Sequence, residues 1–150
     1  MNDALINRAS SYLFKIKQDK STMVKKKRAL ILVDHGSVVQ EANDLLVNIT
    51  ELIKNRSNSN FDIVRYSHME LAEPTISQAF DECVMEGADE IIIHPYFLAP
   101  GRHSKQDIPE MVKNAALKHP RVLYRVTDPL GLHPKIIDVV LERTNINNKD

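Results

Sequence analysis

The sequence has one cysteine, Cys83, no tryptophan and only four glycines in 150 residues. A single cysteine excludes an intrachain disulfide and a cysteine-rich zinc site, which fits a reducing compartment. Lys+Arg and Asp+Glu balance at 20 each, so net charge gives no reason to expect nucleic acid or an anionic membrane as a partner. The longest apolar runs have four or five residues, too few for a transmembrane helix.

The length suits one domain, and 43% hydrophobic with 27% charged residues is the ordinary balance of a globular protein. We predict an N-terminal extension over residues 1–24, which is a short amphipathic helix or flexible, a domain over 25–146, and a tail over 147–150. Residues 1–20 contain acids and lack a continuous apolar core, unlike a secretory signal. The cytoplasm is therefore the expected location, with the plastid stroma as the alternative.

Four short runs rich in Val, Ile, Leu or aromatic residues are predicted strands. They are Ala29–Val33, Phe61–Tyr66, Glu90–His94 and Arg121–Val126. Their starts are 32, 29 and 31 residues apart, close to the roughly 30 residues of a βαβ unit. The first and third runs are apolar on both faces, as central strands must be, whereas the second and fourth alternate and are predicted near the edges.

Segments with helical periodicity separate these strands. They are Val38–Lys54, Pro74–Glu86, Ile108–Lys118 and Pro134–Arg143. Prolines stand where three of the helices would begin, and Gly87 stands where the second would end. The order predicts an α/β protein with a single domain, in which an open, mainly four-stranded parallel sheet has helices on both faces.

Three predicted loops at the carboxyl edge of this sheet contain His35, Glu70 and His103, which are 35 and 33 residues apart. Ligands of open parallel sheets bind at that edge, so these side chains should meet there. Two imidazoles and a carboxylate suit divalent transition metals, and three protein ligands leave a coordination position open. The spacing therefore predicts a working metal site, although any α/β protein with six histidines places some of them near that edge.

Three motifs, LILVDHGS, HMELAEPTI and FLAPGRHSKQDIP, occur in this order between about Arg28 and Arg143. Together they resemble the short form of the sirohydrochlorin chelatase family. That family includes the ferrochelatase of sirohaem synthesis and the cobaltochelatase of the anaerobic cobalamin pathway. The resemblance implies a chelatase-like fold and an enzyme of the lyase class that inserts Fe²⁺ into sirohydrochlorin to make sirohaem. A cobalt or nickel chelatase is the alternative.

The resemblance also implies roles for the three residues. His35 and His103 face one another across a cleft and act on the metal as ligands and catalytic groups, with Glu70 assisting. The divalent ion, Fe²⁺ or alternatively Co²⁺ or Ni²⁺, is a co-substrate, and the short members work as homodimers. The chain departs from family variants in its N-terminal extension. It also lacks the C-terminal cysteines that resemble an iron–sulfur attachment in plant forms, so no iron–sulfur cluster is expected.

Residues beside the histidines are predicted to bind the carboxylates of the tetrapyrrole. Arg102 and Lys105 flank His103, and an arginine fork matches carboxylate geometry; solvated loop charge is the alternative. Ser37 could bond a substrate carboxylate or only stabilise its turn. Three further loop residues could give the ring an apolar floor: Phe97, Leu98 and Pro100.

Two other functions remain open at this point: a carrier that binds metal or tetrapyrrole without turnover, and a metal-dependent hydrolase. Glu73 could replace Glu70, or it could only place negative charge at a helix N-terminus. The remaining histidines and the cysteine have structural interpretations. We predict a packed core residue at His68, structural roles at His94, His119 and His133, and a buried, inert thiol at Cys83.

Overall fold

A computed structural model describes residues 25–56 and 58–145. The predicted extension (1–24) and tail (147–150) lie outside these residues, and the domain boundaries remain predictions. The elements in chain order are β1 (Arg28–Asp34), α1 (Gln40–Lys54), β2 (Ile63–His68), α2 (Ile76–Met85), β3 (Glu90–Pro95), a π-helical turn (His103–Asp107), α3 (Ile108–Ala116), β4 (Leu123–Val126) and α4 (Pro134–Thr144). Within the described ranges no helix combines the length and apolar character needed to cross a membrane.

The four strands form one parallel sheet in the order β2-β1-β3-β4. The two strands that are apolar on both faces, β1 and β3, lie at its centre, and the alternating strands β2 and β4 form its edges. This is the arrangement that the sequence predicts. All four strands point the same way, so the loops that follow them meet at one edge of the sheet.

Alternate residues of β1 contribute to two separate cores. Ala29, Ile31 and Val33 belong to a core with buried residues of α2 and α3, in which Phe80 is fully buried. Leu30 and Leu32 face the opposite side and belong to a smaller core closed by α1. Because successive side chains of a strand point to opposite faces, α1 covers one face and α2 with α3 cover the other. The prediction of helices on both faces is confirmed.

Helix boundaries differ from the predictions by a few residues. The second helix begins at Ile76 and not at Pro74, because Thr75 caps it: its Oγ1 accepts from the Gln78 amide, while the Gln78 side chain accepts from the Thr75 amide. Gly87 follows that helix with φ of +88°, as a C-terminal glycine should. The third helix is extended towards its N-terminus by the π-helical turn, for which the sequence pattern gives no prediction.

Helix α4 has no buried residue. Four apolar side chains of this helix remain exposed to solvent: Ile137, Val139, Val140 and Leu141. Leu132, just before the helix, and Leu123 on β4 are exposed as well. Periodicity predicts this helix correctly, since it begins at Pro134 and ends one residue beyond the prediction. Its apolar side chains form a surface that the described residues leave uncovered.

Candidate metal site at the carboxyl edge of the sheet

His35 and Glu70 lie side by side in the loops that follow β1 and β2. The His35 Nε2 atom is 3.3 Å from Glu70 Oε1, and the two side chains are 42% and 55% exposed. The His35 Nδ1 atom is 3.2 Å from the Gly36 carbonyl oxygen, which can only accept, so Nδ1 bears the proton. In the neutral ring Nε2 is then an acceptor that faces an acceptor carboxylate. A proton or a cation between the two atoms makes this contact favourable.

His103 begins the π-helical turn, and its ring lies next to that of His35. The ring centroids are 5.3 Å apart with an interplanar angle of 66°. The His103 Nδ1–H group donates to Asp107 Oδ2 at 2.9 Å, and Asp107 also pairs with Arg102 Nε at 3.6 Å. Because Nδ1 is used in this way, Nε2 of His103 is available to an ion or a substrate.

The three predicted residues are therefore neighbours, but they do not form a ready-made cage. Among the residues that the structure describes, no group of three or more His, Cys, Asp or Glu side chains is arranged to hold a metal ion. Metal–nitrogen bonds of about 2.1 Å require two coordinating nitrogens within about 4.2 Å of each other. Neighbouring rings on side chains that are nearly half exposed can reach that separation by rotation.

The loops of His35 and Glu70 are in close contact through Gly36. This residue has φ of +82°, and a Cβ atom there would lie 2.1 Å from the Glu70 carbonyl oxygen. Only glycine fits, because both the backbone conformation and the close approach exclude a side chain. The Glu70 amide also donates to the His35 carbonyl at 3.2 Å. The glycine of the HGS sequence in the first motif is therefore required by the contact between the two loops.

The predicted substrate-binding residues differ in their exposure and in the hydrogen bonds that they already make. The Ser37 hydroxyl accepts from the Val39 amide at 3.0 Å, and Asn43 bonds both backbone groups of Ser37, so this serine stabilises its turn. Arg102 is 80% exposed although it pairs with Asp107, and Lys105 is exposed. Both basic side chains can therefore reach a bound carboxylate, and the Ser37 hydroxyl, which accepts from the Val39 amide, can still donate its own O–H to one.

Two adjoining clefts extend from the site along α3. The nearer one has a volume of about 480 Å³ and is lined by Glu70, Arg102 and Asp107 at one end. The second, of about 350 Å³, continues to Lys118. Both clefts share three wall residues, Met69, Met111 and Asn114. An open, partly apolar surface of this kind can accept one side of a flat ring.

The residues of the predicted apolar floor are divided between the core and the surface. Leu98 is 69% exposed and Pro100 is also exposed, so both are accessible to a ligand. Phe97, in contrast, packs against the larger core. Its contribution to a ring-binding surface is therefore smaller than the sequence predicts.

Two carboxylates beside the site were not predicted. Asp107 stands four residues after His103, a spacing that brings side chains together on a helix and could have revealed it. Asp34 ends β1, and its Oδ1 accepts from the Gly36 amide at 2.9 Å and from His68 Nδ1 at 2.5 Å. His68 is 1% exposed, which confirms its prediction as a packed, hydrogen-bonded core residue.

The other histidines have partners away from the site. The His94 Nδ1 atom lies 2.7 Å from Thr127 Oγ1, and burial lowers the pKa of this imidazole. His133 caps the N-terminus of α4, because its side chain accepts a hydrogen bond from the Lys135 amide. Both findings agree with the predicted structural roles.

His119 and Cys83 belong to the α2–α3 side of the molecule. His119 follows the third helix as predicted, but its ring pairs with Asp81 at 2.6 Å and stacks on Phe80. The hydrogen bond from His119 lowers the pKa of the Asp81 carboxyl. Cys83 is fully buried, and burial raises the pKa of its thiol to about 12. The prediction of a buried, inert thiol is confirmed.

The fold and the site together define a parallel α/β protein with two imidazoles and a carboxylate at the carboxyl edge of its sheet. The model of the CbiX family matches residues 29–146. The chain belongs to the CbiX family, and the resemblance seen in the sequence is confirmed. The matched range contains all three motifs and the four strands apart from Arg28.

Named relatives include both iron and cobalt chelatases. The chain is 42% identical over 114 residues to the chloroplastic sirohydrochlorin ferrochelatase of Arabidopsis thaliana, covering 76% of this chain and 50% of the relative. It is 33% identical over 114 residues to the sirohydrochlorin cobaltochelatase of Sulfolobus acidocaldarius, covering 76% and 87%. The structure of SirB from Bacillus subtilis with Fe³⁺ matches with a TM-score of 0.72 and 32% identity, covering 78% of this chain and 46% of SirB.

The chain thus spans about half the length of the plant relative and of the Bacillus protein, but most of the archaeal one. In the longer proteins one unit of this size is accompanied by a comparable length of additional chain.

Proposed function

We propose that this protein is a lyase-class chelatase that inserts Fe²⁺ into sirohydrochlorin. The observation that supports it most directly is the contact between His35 Nε2 and Glu70 Oε1 at 3.3 Å, beside the ring of His103. Two acceptor atoms in this position attract a cation, and their exposure gives a large ring access to it. The names of the plant and archaeal relatives supply the substrate.

Insertion of a metal into a free-base tetrapyrrole has three physical requirements: the ion loses water, two pyrrole N–H protons leave, and the ring puckers. We infer that His35 and His103 replace water on the ion and hold it over the ring with coordination positions open. Each imidazole, once the ion has left it, accepts one of the two pyrrole protons as general base, a role typically worth about 10² to 10⁴-fold. Glu70 ligates the ion and partly neutralises its charge.

We also propose that Arg102 and Lys105 bind the carboxylates of the macrocycle. Both are exposed next to His103, and Arg102 lines the nearer cleft together with Glu70. The ring would then lie over Leu98 and Pro100 with its carboxylate side chains directed at these two cations. A guanidinium can bond one carboxylate through two parallel N–H groups, which fixes the ring's orientation.

Iron is the metal that we propose, with cobalt or nickel as the alternative. Nitrogen and oxygen ligands accept all three ions, and affinity alone follows the general transition-metal order. The preference for iron comes from the relatives: the ferrochelatase of Arabidopsis is 42% identical and the cobaltochelatase of Sulfolobus 33% identical. Rates with the three ions at equal free concentrations would decide between them.

The decisive experiment measures turnover. The protein is incubated anaerobically with sirohydrochlorin and Fe²⁺, Co²⁺ or Ni²⁺, and the absorption change is followed against spontaneous insertion. We expect many turnovers per protein molecule. A change that stops at one equivalent would indicate a carrier of metal or tetrapyrrole, and no acceleration with any ion would refute the proposed enzyme.

We also propose that two copies of the chain form a homodimer through α4. Its apolar side chains, including Ile137, Val140 and Leu141, are about half exposed or more, and the matched region covers only 50% of the plant relative. Light scattering at working concentration should give twice the monomer mass of 17.1 kDa. Val140→Glu should shift the protein to monomer, whereas Lys135→Glu, an exposed polar change on the same helix, should not.

The cytoplasm is the location that we propose, with the plastid stroma as the alternative. The plant relative is named as chloroplastic, which supports the alternative. Fusing a fluorescent protein to the C-terminus of the chain and imaging it in a plant cell would distinguish the two, because only import places the signal within plastids.

A further inference from the structure

The buried His68 and the partly buried Asp34 form a hydrogen-bonded pair directly beneath the candidate metal site. They are the last residues of β1 and β2 and are partners in the register of these strands. The His68 Nδ1–H group donates to Asp34 Oδ1 at 2.5 Å, and the same oxygen accepts the Gly36 amide at 2.9 Å. One carboxylate oxygen thus connects the end of β2 to the residue that follows His35.

Backbone hydrogen bonds continue this connection up to the site. The Met69 amide donates to the Asp34 carbonyl at 2.9 Å, and the Glu70 amide donates to the His35 carbonyl at 3.2 Å. A Cβ atom at Gly36 would lie 2.9 Å from His68 Cβ as well as 2.1 Å from the Glu70 carbonyl oxygen. The two loops are therefore in contact along their length, and one cannot slide past the other.

His68 itself is not placed to bind the ion. It is 1% exposed, its Nδ1 is used by Asp34, and its backbone amide donates to the Pro74 carbonyl at 2.8 Å. Its ring also packs edge-on against Tyr66 at a centroid distance of 5.7 Å. These contacts fix the ring in the interior, while His35 and Glu70 remain at the surface.

We propose that the Asp34–His68 pair is a positioning pair that sets the separation of His35 Nε2 and Glu70 Oε1. Asp34 precedes His35 by one residue and His68 precedes Glu70 by two, so any change in the pair is transmitted through very few bonds. The inference rests on the proposed function, because it assigns the pair a task only if those two atoms hold an ion. Groups that orient metal ligands typically change metal affinity about 10 to 100-fold when they are removed.

The test measures Co²⁺ affinity from the visible absorption of the bound ion, together with thermal stability. His68→Leu removes the bond to Asp34 and should weaken Co²⁺ binding about tenfold or more. His68→Asn places an amide N–H near the position of Nδ1, so it should restore most of the affinity. His68→Gln, whose amide lies farther out, should not restore it.

The matched control is a His–Asp pair away from the site, Asp81 with His119, which joins α2 to the end of α3 at 2.6 Å. His119→Leu should lower the melting temperature but leave Co²⁺ affinity within about twofold, since distant sites act independently. A purely structural role for His68 predicts the same result for both leucine variants. Comparison of the two variants therefore separates positioning from stability.

The outcomes have distinct meanings. If the unaltered protein binds Co²⁺ and His68→Leu binds it equally well, the inference is overturned while the proposed function stands. If His68→Leu does not fold, His68→Asn and His68→Gln decide, because equal Co²⁺ affinities in these two variants would overturn it. Absence of Co²⁺ binding by the unaltered protein would refute the proposed metal site, and the positioning role with it.

Discussion

The Nδ1 atom of His103 lies 2.9 Å from Oδ2 of Asp107, four residues further along the chain. A carboxylate can only accept, so this contact places the ring proton on Nδ1 and leaves the lone pair on Nε2. His35 reaches the same tautomer through a different acceptor, the Gly36 carbonyl. Both rings therefore keep Nε2 free of a hydrogen-bonded proton, and Nε2 is the atom with which each of these imidazoles can bind an ion.

Asp107→Ala should weaken Co²⁺ binding and slow metal insertion, each about 10 to 100-fold, because His103 loses the group that orients its ring. Asp107 is 29% exposed, so folding should be retained. Titration with Co²⁺ and initial rates with sirohydrochlorin would measure both effects. Glu41→Ala, an exposed carboxylate change in the first turn of α1, is the control and should leave both quantities unchanged. Equal losses in the two variants would contradict a specific role for Asp107.

His35→Ala and His103→Ala should each lower the insertion rate at least about tenfold, since each removes a ligand that also acts as a base. Both side chains are nearly half exposed, so the melting temperature should change little. His133→Ala, at the start of α4, serves as a histidine control that alters only a helix cap. Near-normal rates in both site variants would refute the assigned roles.

Glu70→Gln should weaken Co²⁺ binding, because it removes the negative charge that faces His35 Nε2. Glu73→Gln is the matched control in the same loop: Glu73 is exposed, and its carboxylate accepts from the Gln78 side chain, away from His35. Isothermal titration of both variants with Co²⁺ would compare them directly. A loss confined to Glu73→Gln would transfer the carboxylate role to that residue, the alternative that the sequence leaves open.

The order of strands in the sheet is predictable from the sequence, because a strand that is apolar on both faces must be buried on both faces. Ala29–Val33 and Glu90–His94 have no polar alternation, so they belong at the centre, and the spacing of the strands implies helical crossovers. The π-helical turn is not predictable in this way. Its Ile108 amide bonds back to the His103 carbonyl, five residues earlier, and Pro109 has no N–H for a regular helical bond. Local periodicity contains no signal for that change of pitch.

The site is predictable only as far as topology extends. Loops after parallel strands meet at one edge, which brings His35, Glu70 and His103 together without any knowledge of their side-chain conformations. The hydrogen-bond partners around these residues depend on strand register as well as on topology. The bond from His68 to Asp34 requires the register of two strands, which sequence spacing does not determine. The exposed face of α4 likewise has a helical pattern in the sequence but no partner among residues 25–56 and 58–145.

Gly36→Ala should destabilise the protein by about 1–3 kcal/mol, since the residue has φ of +82° and a Cβ atom would lie 2.1 Å from the Glu70 carbonyl oxygen. The loops of His35 and Glu70 must then separate, so Co²⁺ affinity should fall as well. Gly101→Ala is the control, because a Cβ atom there meets nothing within 4 Å. Denaturant unfolding of the two variants measures the difference, and similar stabilities would contradict the close approach.

The thiol of Cys83 provides a test of the core that is independent of the site. Burial raises its pKa to about 12, against an ordinary value of 9.0. Only the thiolate reacts with disulfide reagents, so the folded protein should resist labelling at neutral pH and react after unfolding. Cys83 is the only cysteine of the sequence, so every labelled molecule reports this residue.

The same pKa difference predicts how stability depends on pH. Between about pH 9 and pH 12 the unfolded chain releases the thiol proton while the folded chain retains it. Stability should therefore fall as pH rises through this window, by up to roughly 1.4 kcal/mol for each pH unit. Tyrosines and lysines titrate there too, so the measurement compares denaturant unfolding of the unaltered protein with that of Cys83→Ala at pH 8 to 10. The variant should lose less stability over this range, because a side chain without a thiol has no proton to release; identical slopes would show that the thiol titrates normally.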